Sequence, residues 1–405
     1  MINKLVIVGA GHAAGQAIAS LKQQRFAGQI ILVGKEPHLP YQRPPLSKKF
    51  LSDEISIDRL YLKPSKFYDD PQIKKYLDTN VTAIDRNKKK LQTNDGKEIY
   101  YDKLILATGS RIRRIDISGS NLNGVHYLRN IADVIKIKSE IDSKKNVVII
   151  GAGYIGLEVA AIIRQLGHNV TVLEKADRVM SRVVSPQISD FFEIEHVKHG
   201  VDLRLSTNII AFNGKDTIDN IEISSGEKIP ADIVIVGVGI KPNIELAADT
   251  GLKVNNGIIV NNRCQTNDSD IYAIGDCTLH PSETYNRNIR LESVHNALEQ
   301  AKIAVSNICG IKKIYSQVPW FWSDQYNLKL QIAGLSEGYD RTIIKGNISD
   351  RSFACLYFKD GQLIATDAIN SATEFVISKS LIKSKKILDL DKLEDKKVNL
   401  KDFFN

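Results

Sequence analysis

Two glycine-rich segments constrain this chain more than anything else in it: Gly9-Ala10-Gly11-His12-Ala13-Ala14-Gly15 and Gly151-Ala152-Gly153-Tyr154-Ile155-Gly156. Each closes an apolar run, Leu5-Val6-Ile7-Val8 or Val147-Val148-Ile149-Ile150, and opens a stretch with helical spacing. A strand that feeds a helix through such a turn lets the backbone approach a pyrophosphate and aims a helix N-terminus at it. The first glycines, Gly9 and Gly151, lie 142 positions apart. Two copies in that context argue for a chain that holds two dinucleotides at once. The simplest chemistry for such a pair is hydride transfer between a nicotinamide and a flavin.

The surrounding sequence repeats the same order. Lys4–Gly9 reads as a buried strand, Ala13–Gln24 as a helix, Gln29–Val33 as a second strand, and Tyr101–Ala107 as a later strand ending in Ala107-Thr108-Gly109. From Lys145 come a strand, a helix over Tyr154–Leu166, a strand over Asn169–Leu173, and a later strand over Asp232–Val236 ending in Gly237-Val238-Gly239. A further strand, Ile271–Ile274, leads to Gly275-Asp276, and Leu291–Cys309 has the length and apolar spacing of one long helix. From about Lys312 the texture changes to alternating strands (Lys329–Gly334, Arg341–Lys345, Phe353–Phe358, Gln362–Ala368), with Asp360-Gly361 as a hairpin signal. The tail beyond Lys379 is rich in Lys and Asp. The fold class expected is α/β, with two Rossmann-like dinucleotide-binding domains of the glutathione-reductase type and a small α+β C-terminal domain.

Composition narrows the function classes. The 405 residues, 43% apolar, suffice for two or three cores. No apolar run approaches the roughly 18 residues of a membrane span, and no charged-then-apolar leader follows Met1, so a soluble, cytoplasmic protein is expected. Cys264, Cys277, Cys309 and Cys355 are too widely spaced for a CxxC zinc or redox pair, which favours the same address. The net charge of +8 fits a docking face for an acidic protein, or simply a lysine-rich surface. No arginine tract interleaved with aromatics supports nucleic-acid binding.

Individual residues admit competing readings. Glu36 and Glu174 end the second strand of each repeat, where a carboxylate accepts hydrogen bonds from ribose hydroxyls and repels a 2′-phosphate. At Glu174, in the second repeat, this favours NADH over NADPH, although Lys175 and Arg178 stand close by. Asp276 alone would read as a helix cap, but in company with the first fingerprint it reads as a ligand of the FAD ribityl chain. His196 and His199 have the spacing of a metal pair on a helix; with no third ligand, an exposed helix face is expected and no metal. His12 is expected to lie near the phosphates through its backbone. Trp320 and Trp322 either belong to a core or line the flavin and the route of departing electrons.

With these residues in view, the chain resembles the FAD-dependent NADH:ferredoxin reductases of oxygenase systems, the putidaredoxin reductase-like family. The resemblance rests on Arg43-Pro44-Pro45-Leu46-Ser47-Lys48, Leu104–Gly109, Gly153-Tyr154-Ile155-Gly156-Leu157-Glu158, Gly275-Asp276-Cys277, Asn296–Ala301 and Pro319–Gln325. It implies an FAD domain in two segments (1–110 and 240–316), an inserted NAD domain (111–239) and a C-terminal domain (317–405). Around FAD it places Gly9, Gly11, His12, Ala13, Glu36, Arg43, Pro44, Lys48, Val81, Ala107, Thr108, Gly109, Arg129, Gly275, Asp276, Val294 and Trp322. Around NAD it places Gly151, Gly153, Tyr154, Ile155, Gly156, Glu158, Glu174, Arg182, Val238 and Gly239. Lys35 stands where relatives often carry an acid. Lys48 and Glu158 match a catalytic pair beside the flavin, the ammonium favouring the reduced ring and the carboxylate keeping the lysine charged; the alternative is an ordinary surface ion pair. Tyr154 matches a residue that covers the nicotinamide pocket.

Disulfide reductases of this plan carry a cysteine pair soon after the first fingerprint, and this chain has no cysteine before Cys264. Electrons are therefore expected to leave singly, to an acidic 2Fe–2S ferredoxin that serves a haem monooxygenase or a Rieske dioxygenase. The alternatives are a rubredoxin reductase, an NADH oxidase, or a binding protein like apoptosis-inducing factor. A monomer or weak homodimer is expected, without nucleic-acid or membrane partners.

Overall fold

The computed structural model describes residues 2–141, 143–395 and 397–403. Met1, inside the first expected segment, and Lys396, Phe404 and Asn405, inside the last, lie outside the described residues, as does Asp142. The chain forms two compact units, each drawn from three stretches of sequence: Met1–Arg43, Ile57–Arg111 and Lys241–Pro319 in one, Pro44–Ser56, Ile112–Ile240 and Trp320–Asn405 in the other.

The first unit is organised on a five-stranded parallel sheet with Lys4–Val8 at its centre. Gln29–Val33 and Ile73–Tyr76 lie on one side, Lys103–Leu106 and Ile271–Ala273 on the other. The three central strands, Lys4–Val8, Gln29–Val33 and Lys103–Leu106, read as near-continuous Val/Ile/Leu runs because a parallel sheet is covered on both faces. On one face lie the helices His12–Gln23 and Val294–Ile308, sharing a core with Leu5, Ile7, Ile30 and Leu32. Ala13, Ala14, Ala17, Ile18 and Leu21 form the buried stripe of the first helix, and its small residues allow close approach. Burying Ile18 or Leu21 fully contributes about 1.5–3 kcal/mol each. A three-stranded antiparallel sheet (Val81–Asp85, Lys90–Thr93, Glu98–Tyr100) contributes to the core on the other face.

The second unit repeats the plan. Asn146–Ile150 is central, with Asn169–Leu173 and Asp202–Arg204 on one side and Ile233–Val236 and Val125–Tyr127 on the other, all parallel. Its antiparallel companion sheet is formed by Ile209–Gly214, Ile218–Ile223 and Lys228–Pro230. The same unit contains a five-stranded antiparallel sheet ordered Trp320–Gln325, Leu328–Gly334, Gln362–Ile369, Ser352–Lys359, Arg341–Asn347, followed by the helix Ala372–Ser384. Asp360 and Gly361 both have positive φ, 50° and 75°, the twist a two-residue hairpin turn needs. The fold class expected from the sequence is the one observed.

Strand boundaries moved by a residue or two, with one consequence. Glu36 and Glu174 do not end strands; both lie in the loops that follow Val33 and Leu173. His196 and His199 were expected on an exposed helix face. His196 is instead fully buried on the helix Pro186–Lys198, while His199 caps that helix. No metal-binding cluster occurs among the described residues.

Candidate functional site

In the first unit the glycine turn is dictated by contact. Gly9 has φ +110°, and a Cβ there would stand 2.1 Å from the Ala107 carbonyl oxygen, so only glycine lets the two strand ends meet. Gly11 stands at the N-cap of the helix His12–Gln23, where it brings no capping side chain, and nothing lies within 4 Å of where its Cβ would be. A helix N-terminus whose cap residue is a glycine beside open space forms the cradle an anionic diphosphate requires, so these residues fit a dinucleotide. His12 opens the helix, and Ala13 faces Gly275, whose Cβ would lie 3.3 Å from that of Ala13. Gly275 N donates to Gln300 Oε1 at 2.7 Å, and Ser110 Oγ donates to Asp276 Oδ2 at 2.9 Å. Val294 starts the neighbouring helix, capped by Ser293. Thr108 is tied to Asn243 by Oγ1 to the carbonyl and by the Asn243 amide in return, which holds the Ala107-Thr108-Gly109 turn.

Glu36 is already engaged. Arg43 Nη2 donates to its Oε1 at 2.6 Å and the Tyr41 hydroxyl to its Oε2 at 2.5 Å. Burial pushes the carboxyl up, but Arg43 and Tyr41 outweigh it and hold the group below its usual range. Each carboxylate oxygen keeps a lone pair for a ribose. The Arg43 guanidinium feels both Glu36 and Asp276, which joins those two expected flavin residues through one cation. Val81, buried at the start of its strand, shares the apolar cluster of Val8 and Val33.

The second unit builds its cradle the same way. Gly151 has φ +100° with its Cβ position 2.7 Å from the Gly237 carbonyl, and a Cβ on Gly156 would fall 2.0 Å from the Gly151 oxygen. Gly153 caps the helix Tyr154–Gln165 without a side-chain partner, again under open space. Glu174 braces the turn, accepting from Ala152 N at 2.6 Å and Ala176 N at 2.8 Å. Arg178 is committed elsewhere, to the Val184 and Ser181 carbonyls and Ser189 Oγ, while Lys175 in the same loop is exposed. Ile155 and Arg182 are exposed, and Val238 and Gly239 follow the strand Ile233–Val236, Gly239 with open space above it.

Lys48 and Glu158 meet at 2.6 Å, the carboxylate 1% exposed and the ammonium 14%. The surface-pair reading is therefore corrected: a pair this buried is strongly coupled. Two residues that sequence reasoning passed over complete the carboxylate's shell. Ser47 Oγ donates to Oε2 at 2.6 Å and Ser323 Oγ to Oε1 at 2.7 Å. Both stood inside segments that carried the family resemblance, which was the available signal. Tyr154, on the same helix, is in ring contact with Phe321 at 4.9 Å. Trp322 is partly buried, 5.5 Å from Trp320 in a tilted arrangement. Arg129 precedes the helix Ile131–Glu140, its N–H bonded to Asp133 within the Asn130–Asp133 capping box. Lys48, Arg129, Pro44 and Trp322, expected at the flavin, belong to the second unit, and the remaining flavin residues to the first.

Residues 3–301 match the pyridine nucleotide-disulphide oxidoreductase family, and residues 320–404 match the reductase C-terminal family. The chain belongs to the first of these families and ends in the second. It is an oxidoreductase whose cofactors are FAD and a pyridine nucleotide. It is 41% identical to a ferredoxin–NAD(P)+ reductase of Sphingomonas sp. over 95% of this chain and 94% of that one. It is also 41% identical to rhodocoxin reductase of Rhodococcus erythropolis, over 98% and 93%. The crystal structure of a covalent putidaredoxin reductase–putidaredoxin complex superposes with a TM-score of 0.96 at 38% identity, over 99% of this chain and 98% of that one. Despite the family name, the four cysteines are all free, and Cys264, Cys277 and Cys355 are buried. No described helix is long and apolar enough to cross a membrane.

Proposed function

We propose that this chain is an NADH-dependent flavoprotein reductase that delivers single electrons to an acidic 2Fe–2S ferredoxin serving an oxygenase. The observation that carries the reading is the pair of glycine-capped helix N-termini, at Gly11 and Gly153, each with open space at the glycine, in a chain whose cysteines are buried or isolated. FAD, when bound, takes up electrons as a hydride and gives them out one at a time. Gly9, Gly11, Ala13, Glu36, Asp276 and the Ala107–Gly109 turn are assigned to its binding, within a flavin domain of residues 1–110 and 240–316. Gly153, Gly156, Glu174 and Gly239 are assigned to NADH within residues 111–239, with residues 317–405 as a C-terminal domain. Lys48 is assigned the positive charge that balances electron uptake by the cofactor, and buried Glu158 holds its ammonium at 2.6 Å.

The relatives' names, the net charge of +8 and the free cysteines support a cytoplasmic protein with an acidic partner. The deciding experiment is oxidation of NADH and of NADPH by the purified holoprotein, with and without a 2Fe–2S ferredoxin and cytochrome c as reporter. NADH consumption that depends on the ferredoxin is the expected result. Rapid consumption without a carrier makes the protein an oxidase and overturns the reading, and reduction of rubredoxin in preference to ferredoxin overturns the acceptor.

A further inference from the structure

The carboxylate of Glu158 is the end of a longer buried series. Ser323 Oγ, which donates to Glu158 Oε1, accepts from Gln325 Nε2 at 3.2 Å. Gln325 Oε1 lies 2.8 Å from His196 Nε2, and His196 Nδ1 lies 3.3 Å from the Tyr326 hydroxyl. Glu158, Ser323, Gln325 and His196 are all at most 1% exposed. They come from two helices and one strand (Tyr154–Gln165, Pro186–Lys198 and Trp320–Gln325).

The donor directions in this series admit one consistent assignment. Paired with the Lys48 ammonium, the Glu158 carboxylate only accepts, so the Ser323 hydroxyl proton points to it and Ser323 oxygen must be fed from Gln325. That orients the Gln325 amide with its nitrogen toward Ser323 and its oxygen toward His196. The His196 ring must then carry its proton on Nε2, leaving Nδ1 to accept from Tyr326. Every proton points toward Glu158. A histidine so placed acts as a polarity setter: turn its tautomer over, and Gln325 flips, Ser323 loses its donor, and Glu158 Oε1 loses its best-held partner.

We propose that His196, through Gln325 and Ser323, is a positioning residue that holds Glu158 as a fully accepting carboxylate against Lys48. This inference rests on the reading of Lys48 and Glu158 as the working pair at the cofactor. The series holds rather than conducts, because the Gln325 amide cannot pass a proton along as a hydroxyl or imidazole can. Burial keeps the imidazole neutral, pushing it down to about 4, so the arrangement does not change across the working range. Around the ring, Glu195 is held by Arg351 at 2.8 Å, and His199 stacks on Tyr326 at 3.7 Å.

The test uses the holoprotein and four variants: His196→Leu, His196→Gln, Ser323→Ala and Glu158→Gln. His196→Gln keeps an amide N–H near the place of Nε2; His196→Leu removes it. Flavin reduction by NADH is followed by stopped flow at saturating and limiting NADH. His196→Leu and Ser323→Ala are expected to slow the saturated rate about 3- to 10-fold, the effect of one lost hydrogen bond, at unchanged apparent affinity. His196→Gln is expected to restore most of it. In parallel, NMR of the ¹⁵N-histidine-labelled wild type should show His196 as the neutral Nε2–H tautomer, a readout independent of turnover and of whether any variant folds. A protonated ring, an Nδ1–H tautomer, or a His196→Gln variant as slow as His196→Leu overturns the proposal. Should Glu158→Gln itself reduce its flavin at the wild-type rate, the underlying reading of the pair fails; should only Glu158→Gln be slow, the series alone fails.

Discussion

Lys48 Nζ and Glu158 Oε2 stand 2.6 Å apart, and the glutamate is almost wholly enclosed. Lys48 follows the short turn Pro44–Ser47, 110 positions before Glu158 in sequence, and the adjacent Ser47 donates to the same oxygen. Two consecutive residues thus converge on one carboxylate. A buried ion pair stripped of one partner leaves an uncompensated charge, so its members should not be interchangeable with neutral isosteres. Lys48→Met and Glu158→Gln are each expected to slow flavin reduction by NADH about 10- to 100-fold, the loss of a charged hydrogen bond. Stopped-flow traces at the flavin absorbance check this.

The two glycines of the first turn should fail differently. Gly9→Ala forces a Cβ to 2.1 Å from the Ala107 carbonyl at φ +110°, so it is expected to yield little folded protein. Gly11→Ala meets no neighbour and has φ −95°, so the chain should fold. Its methyl group would fill the space over the helix N-terminus, and the purified variant should carry much less FAD. The absorbance ratio of flavin to protein separates the two.

Cofactor choice should rest on Glu174. Because Arg178 is held by Val184, Ser181 and Ser189, removing the carboxylate does not release that arginine to a 2′-phosphate. Glu174→Ala is therefore expected to lower the NADH:NADPH ratio of kcat/KM about 10-fold, mainly by weakening NADH. A large gain in absolute NADPH turnover would show instead that Lys175 already serves that phosphate.

Stability should carry the signature of a second buried carboxyl. Asp367 is enclosed in the C-terminal sheet, where burial pushes it up to about 7 despite the Tyr357 hydroxyl donating to it at 2.5 Å. The folded state then binds a proton that the unfolded state has released between about pH 4 and pH 7, so this group's contribution falls as pH rises through that window. Asp367→Asn keeps an acceptor for Tyr357 without the charge. Relative to wild type, its Tm should gain by a few degrees more at about pH 8 than at about pH 5. A difference independent of pH counts against the shifted carboxyl.

Electron delivery to an acidic ferredoxin should slow as salt is raised, since the charge of +8 steers encounter over distances that salt screens. Ferredoxin-dependent cytochrome c reduction from low to moderate ionic strength tests it. A flat dependence removes the basic surface from the account, whereas ferricyanide reduction serves as a control for the flavin itself.

What this sequence determined by itself was everything whose cause is local. A strand, a glycine turn and a helix are written in consecutive residues, because Gly9 and Gly151 answer to positive φ and the flanking apolar runs to burial on both sheet faces. The duplicated plan, the hairpin at Asp360-Gly361 and the long helix near Val294 were legible for the same reason. What only the tertiary structure decided was which polar groups meet once those elements close on one another. His196 read as part of an exposed helix face, yet it is buried against Gln325, 129 positions away on the strand Trp320–Gln325. Ser323 is likewise 165 positions from Glu158, and Arg178 turns inward to carbonyls no pattern announces. Hydrogen-bond partners inside a core are chosen by three-dimensional proximity and the cost of leaving a donor unpaired, and neither is encoded in spacing along the chain.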